Sequence, residues 1–249
     1  QNDRVIGGIT AQCSAKAKAL YQLFVEGACI ETTVRTAEMC KLAENSYRDV
    51  NIAFANELSM ICDAEGIDVN SLIRLANRHP RVDVLKPGPG VGGHCIAVDP
   101  WFVVSRSPEH AKLIKMAREV NDTKPRWVTE KVSKSIELLL EENLERTPRD
   151  ISIACFGLTF KPDIDDLRES PALQIVIEIA KMHAGPILVV EPNIETLPQA
   201  LSESARLVES DIALAEADIV LILVNHQAFE SVFRQIDKDK NEIIDTRGL

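Results

Sequence analysis

The last hundred or so residues alternate short apolar runs with helix-like stretches, and this pattern restricts the fold more than any other feature. Five runs have the length and apolar content of buried strands: "ISIACFG", "PILVVEP", "ARLVE", "DIVLILVN" and "NEIIDT". Helical stretches at "SPALQIVIEIAKMH", "NIETLPQAL", "SDIALAEA" and "HQAFESVFRQI" separate them. Continuously apolar strands that alternate with helices predict an open parallel sheet covered on both faces. We therefore expect an α/β fold that ends in a Rossmann-like domain.

The part of the chain before these strands is predicted to be mostly helical. The stretch from Thr36 to Gly66 has no proline and no internal glycine, and we expect a helix that ends with Gly66 in the C′ position. Its apolar residues recur at near-helical spacing. Asp68 is a candidate N-cap for a helix over "DVNSLIRLAN". Further helices are predicted at "PEHAKLIKMAREVND" and, after Pro125, at "RWVTEKVSKSIELLLEENLE". The apolar stripe on the long helix is too long for one small domain to cover, which predicts a homodimer.

The start of the chain indicates part of another α/β unit. "RVIGGIT", "AQCSAKAKALYQLFVEG" and "CIETTV" have the patterns of a strand, a helix and a strand. A parallel strand pair needs neighbouring strands, so we interpret this segment as the end of a domain that is otherwise missing. There is no signal-peptide pattern and no initial Met, and we expect the chain to be a fragment.

Charge and cysteine content exclude several classes of function. Lys plus Arg total 28 and Asp plus Glu total 38, so the formal charge is −10. This balance argues against general nucleic-acid or anionic-membrane binding, and no apolar run approaches the roughly 20 residues needed to span a bilayer. The six cysteines form no C-x-x-C pair, which argues against a zinc site or a disulfide scaffold. We expect a cytoplasmic protein without a metal.

The segment "PGPGVGGHCIAVDPWF" is the strongest candidate for chemistry. Its Gly88-x-Gly90-x-x-Gly93 spacing formally matches a dinucleotide fingerprint, but prolines interrupt it and no helix clearly follows. A glycine loop that lets backbone approach a ligand is the better interpretation, beside a plain connecting loop. Cys95 is a candidate nucleophile or an inert thiol, and Asp99 a candidate base or water-holding group. His94 could act as a base or a metal ligand, but neither role is favoured.

Two groups of polar residues suggest a place for an anionic ligand. Lys41, Asn45 and Arg48 are spaced to share one side of the long helix, where they either bind an oxygen-rich ligand or are simply solvated. Lys161 and Arg168 follow the first strand of the sheet in "FGLTFKPDIDDLRES". Ligands of such sheets bind beyond the carboxyl ends of the strands, so both residues could contact phosphates, although they could also be plain surface charges.

With these motifs, essentially all 249 residues resemble the nucleotide-sugar 6-dehydrogenases of the UDP-glucose/GDP-mannose dehydrogenase family. The resemblance is carried by "NDRVIGG", "TAEMCKLAENSYRDVNIAFANELS", "LANRHPRV", "GPGVGGHCIAVDPWF", "FGLTFKPDIDDLRESPA" and "DTRG". It implies three parts: residues 1–34 as the remnant of an NAD-binding domain, 35–148 as a helical dimerisation region with the cysteine loop, and 149–249 as a Rossmann-like UDP-binding domain. The resemblance further implies that this chain lacks most of the NAD-binding domain, with its catalytic glutamate and threonine.

The resemblance also implies roles for individual residues. Cys95 would attack the C6 aldehyde of a UDP-sugar, Lys41 would donate or accept protons and stabilise oxyanions, and Asn45 and Asp99 would position or activate water. Arg168 would face NAD. By matching positions, the UDP-sugar contacts would be Arg48, His79, Arg81, Lys86, Gly92, Phe160, Lys161 and Arg247, with His79 and Arg81 possible contributors to a partner subunit's site.

The loop Gly92-Gly93-His94-Cys95 differs from the Gly-Gly-Ser-Cys loop typical of UDP-glucose dehydrogenases. It is most similar to the branch of the family that oxidises UDP-N-acetyl-D-mannosamine at C6, with enzymes for UDP-N-acetyl-D-glucosamine as the alternative. The resemblance implies NAD as the cofactor and an inactive chain when the NAD-binding domain is missing. Two other interpretations stay open: a dimeric UDP-sugar-binding module without activity, and a thiol hydrolase that uses Cys95 and His94.

Overall fold

The computed structural model describes residues 2–236 and 240–247. It begins with a β-α-β unit of strand β1 (Arg4–Gly8), helix α1 (Ala11–Tyr21) and strand β2 (Cys29–Thr33). The two strands pair in parallel. Thr10 caps α1 through its side chain, which accepts a hydrogen bond from the Cys13 N–H. The prediction that α1 extends to Gly27 is wrong, because the chain leaves the helix in turns after Tyr21.

A 32-residue helix, α2 (Val34–Glu65), follows β2 directly. Thr33 caps its N-terminus, and Gly66 adopts the left-handed conformation that ends it, as the sequence predicted. Helix α3 (Val69–Ala76) begins after Asp68, whose carboxylate accepts hydrogen bonds from the N–H groups of Asn70 and Ser71. The predicted N-cap is therefore confirmed.

Helix α4 (Asp99–Arg106) and helix α5 (Lys112–Glu142) complete the helical region. The prediction of two helices separated near Pro125 is wrong, because α5 runs through Pro125 as one helix of 31 residues. Tertiary contacts outweigh the missing backbone donor, since α5 packs against α2 on one side and the sheet domain on the other. The Pro125 ring also contacts the cysteine loop, and its Cγ would lie 3.3 Å from a Cβ placed on Gly90.

The C-terminal domain is a five-stranded parallel sheet, as predicted. In chain order its elements are β3 (Ile153–Phe156), α6 (Pro171–Met182), β4 (Ile187–Val190), β5 (Arg206–Leu207), α7 (Ser210–Glu216), β6 (Ile219–Ile222), α8 (Glu230–Phe233) and β7 (Glu242–Asp245). The strand order is β5-β4-β3-β6-β7, so the direction of winding reverses between β3 and β6. In such sheets this reversal marks the crevice where ligands bind.

Two predicted helices of this domain differ in the structure. The segment "NIETLPQAL" forms turns instead of a helix. Pro198 interrupts the segment, and the Asn193 side chain at its start donates a hydrogen bond to the Glu191 carboxylate. "HQAFESVFRQI" forms a 3₁₀ turn (Gln227–Phe229) followed by the short helix α8.

The core lies on both faces of this sheet. All four residues of β3 are fully buried, with Ile153 and Cys155 on the face covered by α5 and α6, and Ala154 and Phe156 on the opposite face. Burial raises the pKa of the Cys155 thiol to about 12, so this cysteine is an inert packing residue. Burial of each large apolar side chain here stabilises the folded state by about 1.5 to 3 kcal/mol relative to leaving it exposed.

Helix α2 presents an apolar stripe to solvent. Its exposed members are Met39, Tyr47, Phe54 and Ile61, each at least half exposed. Their spacing of seven or eight residues places them along one side of the helix. In the part of the chain that the structure describes, no helix has the length and apolarity needed to cross a membrane.

Candidate active site

The glycine loop before Cys95 packs against the loop that follows β3, and the two fit without room for side chains. A Cβ placed on Gly92 would lie 2.5 Å from the Glu169 carbonyl oxygen and 2.8 Å from the Phe160 Cβ. Gly93 has a φ of +82°, and a Cβ there would lie 3.1 Å from the Phe160 ring. Glycine is required at both positions, one for close approach and the other also for its backbone conformation. The helical region and the sheet domain are therefore in direct contact at the cysteine loop.

Cys95 lies at the exposed end of this loop. Its carbonyl oxygen accepts a hydrogen bond from the Asp99 N–H at 2.8 Å, in a turn that leads into α4. Pro100 occupies the first turn of that helix, a position that proline tolerates well because no backbone donor is needed there. The thiol is thus held on a defined turn and stays accessible to a bound molecule.

Three of the predicted catalytic residues form one hydrogen-bonded chain. Lys41 Nζ donates to Asn45 Oδ1 at 3.4 Å, and Asn45 Nδ2 donates to Asp99 Oδ2 at 2.5 Å. Asn45 is buried, whereas the Lys41 side chain is 61% exposed and also contacts Glu44. Because Asp99 belongs to the Cys95 turn, the amide of Asn45 connects the lysine of α2 to the cysteine loop.

A buried polar network, which the sequence did not predict, holds the backbone of the glycine loop. Asn56 Oδ1 accepts a hydrogen bond from the Gly88 N–H at 2.8 Å, and Asn56 Nδ2 donates to Asn121 at 2.9 Å. Asn121 in turn donates to Asp49, which pairs with Arg118 at 2.6 Å. The only sequence signal is the polar residues at core-facing positions of two long helices.

The predicted nucleotide contacts lie on three neighbouring segments. Lys86 and Lys161 are exposed, and Phe160 is half-buried against the glycine loop. Arg247 follows β7, and its Nη1 would lie 2.9 Å from a Cβ placed on Gly88. Burial lowers the pKa of Arg247, and its Nε has no hydrogen-bond partner. A guanidinium with a buried, unsatisfied nitrogen beside the glycine loop is suited to an anionic or hydroxyl-bearing ligand.

Other predicted residues are not joined to this cluster. Among the described residues, no side-chain hydrogen bond or ion pair connects Arg48, His79 or Arg81 to the cysteine loop; His79 Nδ1 instead accepts the backbone N–H of Arg81. Arg168 forms a bidentate pair with Asp166 and is 68% exposed. Hydrogen bonds from Arg168 lower the pKa of Asp166 to about 2, with a minor contribution from the nearby His94.

The geometry disfavours a cysteine–histidine hydrolase. His94 and Cys95 are adjacent in a turn, and among the described residues neither side chain has a hydrogen bond to the other. A nucleophile and its base must reach each other for that chemistry. The described residues also contain no group of three His, Cys, Asp or Glu side chains that could hold a metal ion.

Comparison with known proteins gives a consistent result. The central domain of the UDP-glucose/GDP-mannose dehydrogenase family matches residues 35–123, and the UDP-binding domain of the same family matches residues 154–249. Across all 249 residues, the chain is 57% identical to UDP-N-acetyl-D-mannosamine dehydrogenase of Yersinia pestis, and it spans 59% of that protein's length. It is also 56% identical to NDP-N-acetyl-D-galactosaminuronic acid dehydrogenase of Ralstonia nicotianae and spans 56% of it.

Solved structures agree with this result. The structure of UDP-D-ManNAc dehydrogenase from Pyrococcus horikoshii aligns with 99% of this chain at a TM-score of 0.82 and 35% identity, and 56% of that protein is covered. Two consecutive domains of one family match in their family order, and the fold of the whole chain agrees with a solved relative. This chain belongs to the UDP-glucose/GDP-mannose dehydrogenase family of oxidoreductases that act on nucleotide sugars.

Proposed function

We propose that this chain is part of an enzyme that oxidises UDP-N-acetyl-D-mannosamine at C6 to the uronate, with NAD as the electron acceptor. The observation that carries the proposal is the exposed Cys95 on a glycine loop. That loop is joined through Asp99 and Asn45 to Lys41 and packs against the turn that holds Lys161. A reactive carbon held by this loop would therefore meet a thiol, an ammonium group and a water-binding amide together.

The nucleotide is expected to lie along the edge where the glycine loop meets the turn after β3. Lys161 and Arg247 are the proposed partners of the diphosphate and ribose, since both supply charge-assisted donors at the carboxyl end of the sheet. Phe160 and the segment from Lys86 to Gly92 would enclose the uridine and sugar. Arg48, His79 and Arg81 are exposed in the single chain, and we propose that they complete the site from its edge or in a dimer.

In the proposed chemistry, Cys95 acts first as a nucleophile and later as a leaving group. Loss of a proton and of a hydride to NAD, which a further domain would supply, would first convert the C6 alcohol of the sugar to the aldehyde. The Cys95 thiolate would add to this aldehyde, and the thiohemiacetal would lose a proton and pass a second hydride to NAD, which leaves a thioester. Water then attacks the thioester carbonyl, which releases the carboxylate and returns the thiolate. Lys41 would stabilise the oxyanion of each adduct, and Asn45 with Asp99 would hold the attacking water.

The described residues do not form a dinucleotide site. The β1–α1 turn has no G-x-G-x-x-G spacing, and a Cβ placed on Gly8 would lie 2.5 Å from the Ser14 backbone nitrogen. The turn after β3 binds the Glu191 carboxylate of the chain itself. The described residues therefore do not supply the site for NAD. We propose that residues 1–34 belong to an NAD-binding domain of a longer protein, with Arg168 at its border, since the chain spans 59% of its curated relative.

We also propose that the protein is a homodimer built on α2, within a central region of residues 35–148 that precedes a UDP-binding domain of residues 149–249. The exposed stripe of Met39, Tyr47, Phe54 and Ile61 supports this assembly, because a row of half-exposed apolar side chains on one long helix favours burial against a second copy. We propose a cytoplasmic location.

Two alternatives concern the substrate and the activity. The alternative substrate is UDP-N-acetyl-D-glucosamine, another epimer of the N-acetylhexosamine. A relative at 56% identity is named for a third epimer, N-acetyl-D-galactosaminuronic acid. The chain could also be a UDP-sugar-binding module without turnover, which the absence of a dinucleotide site among the described residues favours for the 249-residue chain alone.

Calorimetry and an absorbance assay test both parts of the proposal. The 249-residue chain should bind UDP at submillimolar to millimolar concentration and should produce no NADH from UDP-N-acetyl-D-mannosamine and NAD. A protein that restores the full length of the relatives should produce NADH, and Cys95→Ala should abolish this production. No UDP binding at millimolar ligand would contradict the nucleotide site, and NADH production by the 249-residue chain would contradict the requirement for a further domain.

A further inference from the structure

The turn that follows β3 is organised around one buried carboxylate. Glu191, at the end of β4, has a fully buried side chain. Its Oε2 accepts hydrogen bonds from the backbone N–H groups of Leu158 and Thr159 at 2.8 and 3.2 Å. Its Oε1 accepts hydrogen bonds from the backbone N–H and the side-chain Nδ2 of Asn193, both at 3.1 Å. Backbone N–H groups at this position of a Rossmann-like sheet usually face a bound phosphate. Here the chain's own carboxylate occupies them.

A buried histidine links this carboxylate to the far end of the turn. His226, which follows β6, is fully buried, and its Nε2 lies 3.0 Å from Glu191 Oε2. Its Nδ1 lies 3.0 Å from the backbone nitrogen of Asp163. A backbone N–H can only donate, so Nδ1 is the acceptor, and Nε2 carries the proton that is donated to Glu191. The imidazole is therefore held as one neutral tautomer that bridges the two ends of the turn.

The residues between these two anchors are the proposed nucleotide contacts. Phe160 and Lys161 lie between Thr159 and Asp163, and Phe160 supports Gly92 and Gly93 of the cysteine loop. Neither Glu191 nor His226 is exposed, so neither can contact a ligand directly. Any effect of the pair on binding must pass through the position of the turn.

We propose that Glu191 and His226 are positioning residues for the nucleotide site, which hold the 158–163 turn so that Lys161 and Phe160 are in place before UDP binds. This inference rests on the proposed UDP-binding function. It assigns a function to two buried residues that follow β4 and β6. The N–H groups of Leu158 and Thr159, which would be the ones to face a phosphate in the usual Rossmann manner, are already used by Glu191. Five donor contacts to one carboxylate fill its capacity of about four lone pairs.

Variants at position 226 separate hydrogen bonding from packing. His226→Leu removes both hydrogen bonds, His226→Gln can keep the donor to Glu191, and His226→Asn can keep the acceptor for Asp163. We expect His226→Leu to weaken UDP binding to the 249-residue chain about tenfold or more, with Gln and Asn intermediate. Amide exchange at residues 158–163 should accelerate in the same order.

Glu191→Gln provides a second, independent test if His226→Leu does not fold. A glutamine places an NH₂ group against N–H donors in either orientation, so UDP binding should again weaken about tenfold. Glu195→Gln, which changes an exposed residue nearby, is the matched control and should bind UDP like the wild type. Melting temperature is measured for every variant.

The outcomes distinguish this inference from the proposed function. If the wild-type chain does not bind UDP at millimolar ligand, the proposed nucleotide site is overturned, and the exchange rates of residues 158–163 alone decide whether the pair holds the turn. A folded His226→Leu that binds UDP as tightly as the wild type would overturn the positioning role. Equal losses in Leu, Gln and Asn variants of equal stability would overturn it as well, because the hydrogen bonds would then have no part in the effect.

Discussion

Asn56 Oδ1, on the long helix α2, accepts a hydrogen bond from the backbone N–H of Gly88 in the glycine loop at 2.8 Å, and both groups are buried. We expect Asn56→Ala to leave this N–H without a partner and to lower the free energy of unfolding by about 1 to 3 kcal/mol. UDP binding should weaken too, because the loop loses its support. Asn51→Ala, on the same helix, removes only a bond to the Tyr47 carbonyl and should change stability by no more than about 0.5 kcal/mol. Urea unfolding of both variants checks this, and equal effects would contradict it.

The cysteines should differ sharply in alkylation. Cys95 and Cys13 are exposed, whereas Cys155 is buried with its pKa raised by burial to about 12. Iodoacetamide at mildly alkaline pH should label the two exposed residues and leave Cys155 unmodified. A UDP-sugar should protect Cys95 but not Cys13, which serves as an internal control because it lies on α1 outside the proposed site. Peptide mapping measures both, and ligand protection of Cys40 or Cys155 instead would refute the assignment of Cys95.

Lys124 should make stability depend on pH. Burial lowers the pKa of this lysine to about 7, while its Nζ donates to Ser59 and lies 3.7 Å from the Trp127 ring centre. The unfolded chain keeps this proton up to about pH 10.4. Between these two values the unfolded state binds more protons, so stability rises with pH. From about pH 7 to about pH 9.5, the rise in unfolding free energy should be up to about 3 kcal/mol smaller in Lys124→Met than in the wild type.

The matched control for this pH effect is Lys134→Met, which changes an exposed lysine on the same helix. Its unfolding free energy should follow the wild-type pH dependence. Identical curves for wild type and Lys124→Met would mean that Lys124 keeps its charge in the folded protein throughout this pH range, which would contradict the prediction.

Lys161→Ala should weaken UDP binding by about 1.5 to 3 kcal/mol, the range for a charge-assisted hydrogen bond. Lys161 is exposed on the turn beside Phe160, so its loss should leave the melting temperature unchanged. Lys181→Ala, in the last turn of α6, is the control of equal charge. Calorimetry in one buffer compares the two, and an unaltered Lys161→Ala would remove this residue from the proposed nucleotide contacts.

The stripe on α2 should mediate self-association. Sedimentation at micromolar concentration should give twice the chain mass for the wild type. Phe54→Glu should give a monomer, because a carboxylate in the middle of a buried helix pair is left without a partner. Leu144→Glu, at a residue that is 90% exposed beyond the end of α5, should stay dimeric. A monomeric wild type would exclude the proposed assembly.

Local patterns in the sequence predicted the elements of this fold better than the contacts between them. All five strands of the C-terminal sheet were predicted because their apolar runs match the length and apolar content of buried strands. Gly66 and Asp68 predicted helix ends because glycine adopts the left-handed conformation easily and an aspartate carboxylate accepts hydrogen bonds from free backbone N–H groups. The Pro125 prediction failed because packing on both sides of α5 outweighs one lost hydrogen bond. In "NIETLPQAL", the side chain of Asn193 donates a hydrogen bond to Glu191, which lies outside the segment, and the predicted helix does not form.

In the candidate site, too, individual residues were predicted better than the contacts between them. Cys95, Lys41, Asn45 and Asp99 were selected from residue type and from a family resemblance, but the bond between Asn45 and Asp99 joins positions 54 residues apart, which no local pattern encodes. Glu191 and His226 were missed because each follows an apolar strand as an ordinary polar residue. Their partnership spans 35 positions and arises only when the strands pair.

The continuity of α5 has a thermodynamic consequence for ligand binding. One unbroken helix contacts α2 near the glycine loop and α6 and β7 in the sheet domain, so the helical region and the sheet domain have a fixed arrangement before any nucleotide arrives. A ligand that contacts both gives up its own freedom and that of a few side chains, without the further entropy loss of a domain closure. We therefore expect UDP binding to give a modest heat-capacity change and little change in the overall dimensions of the protein.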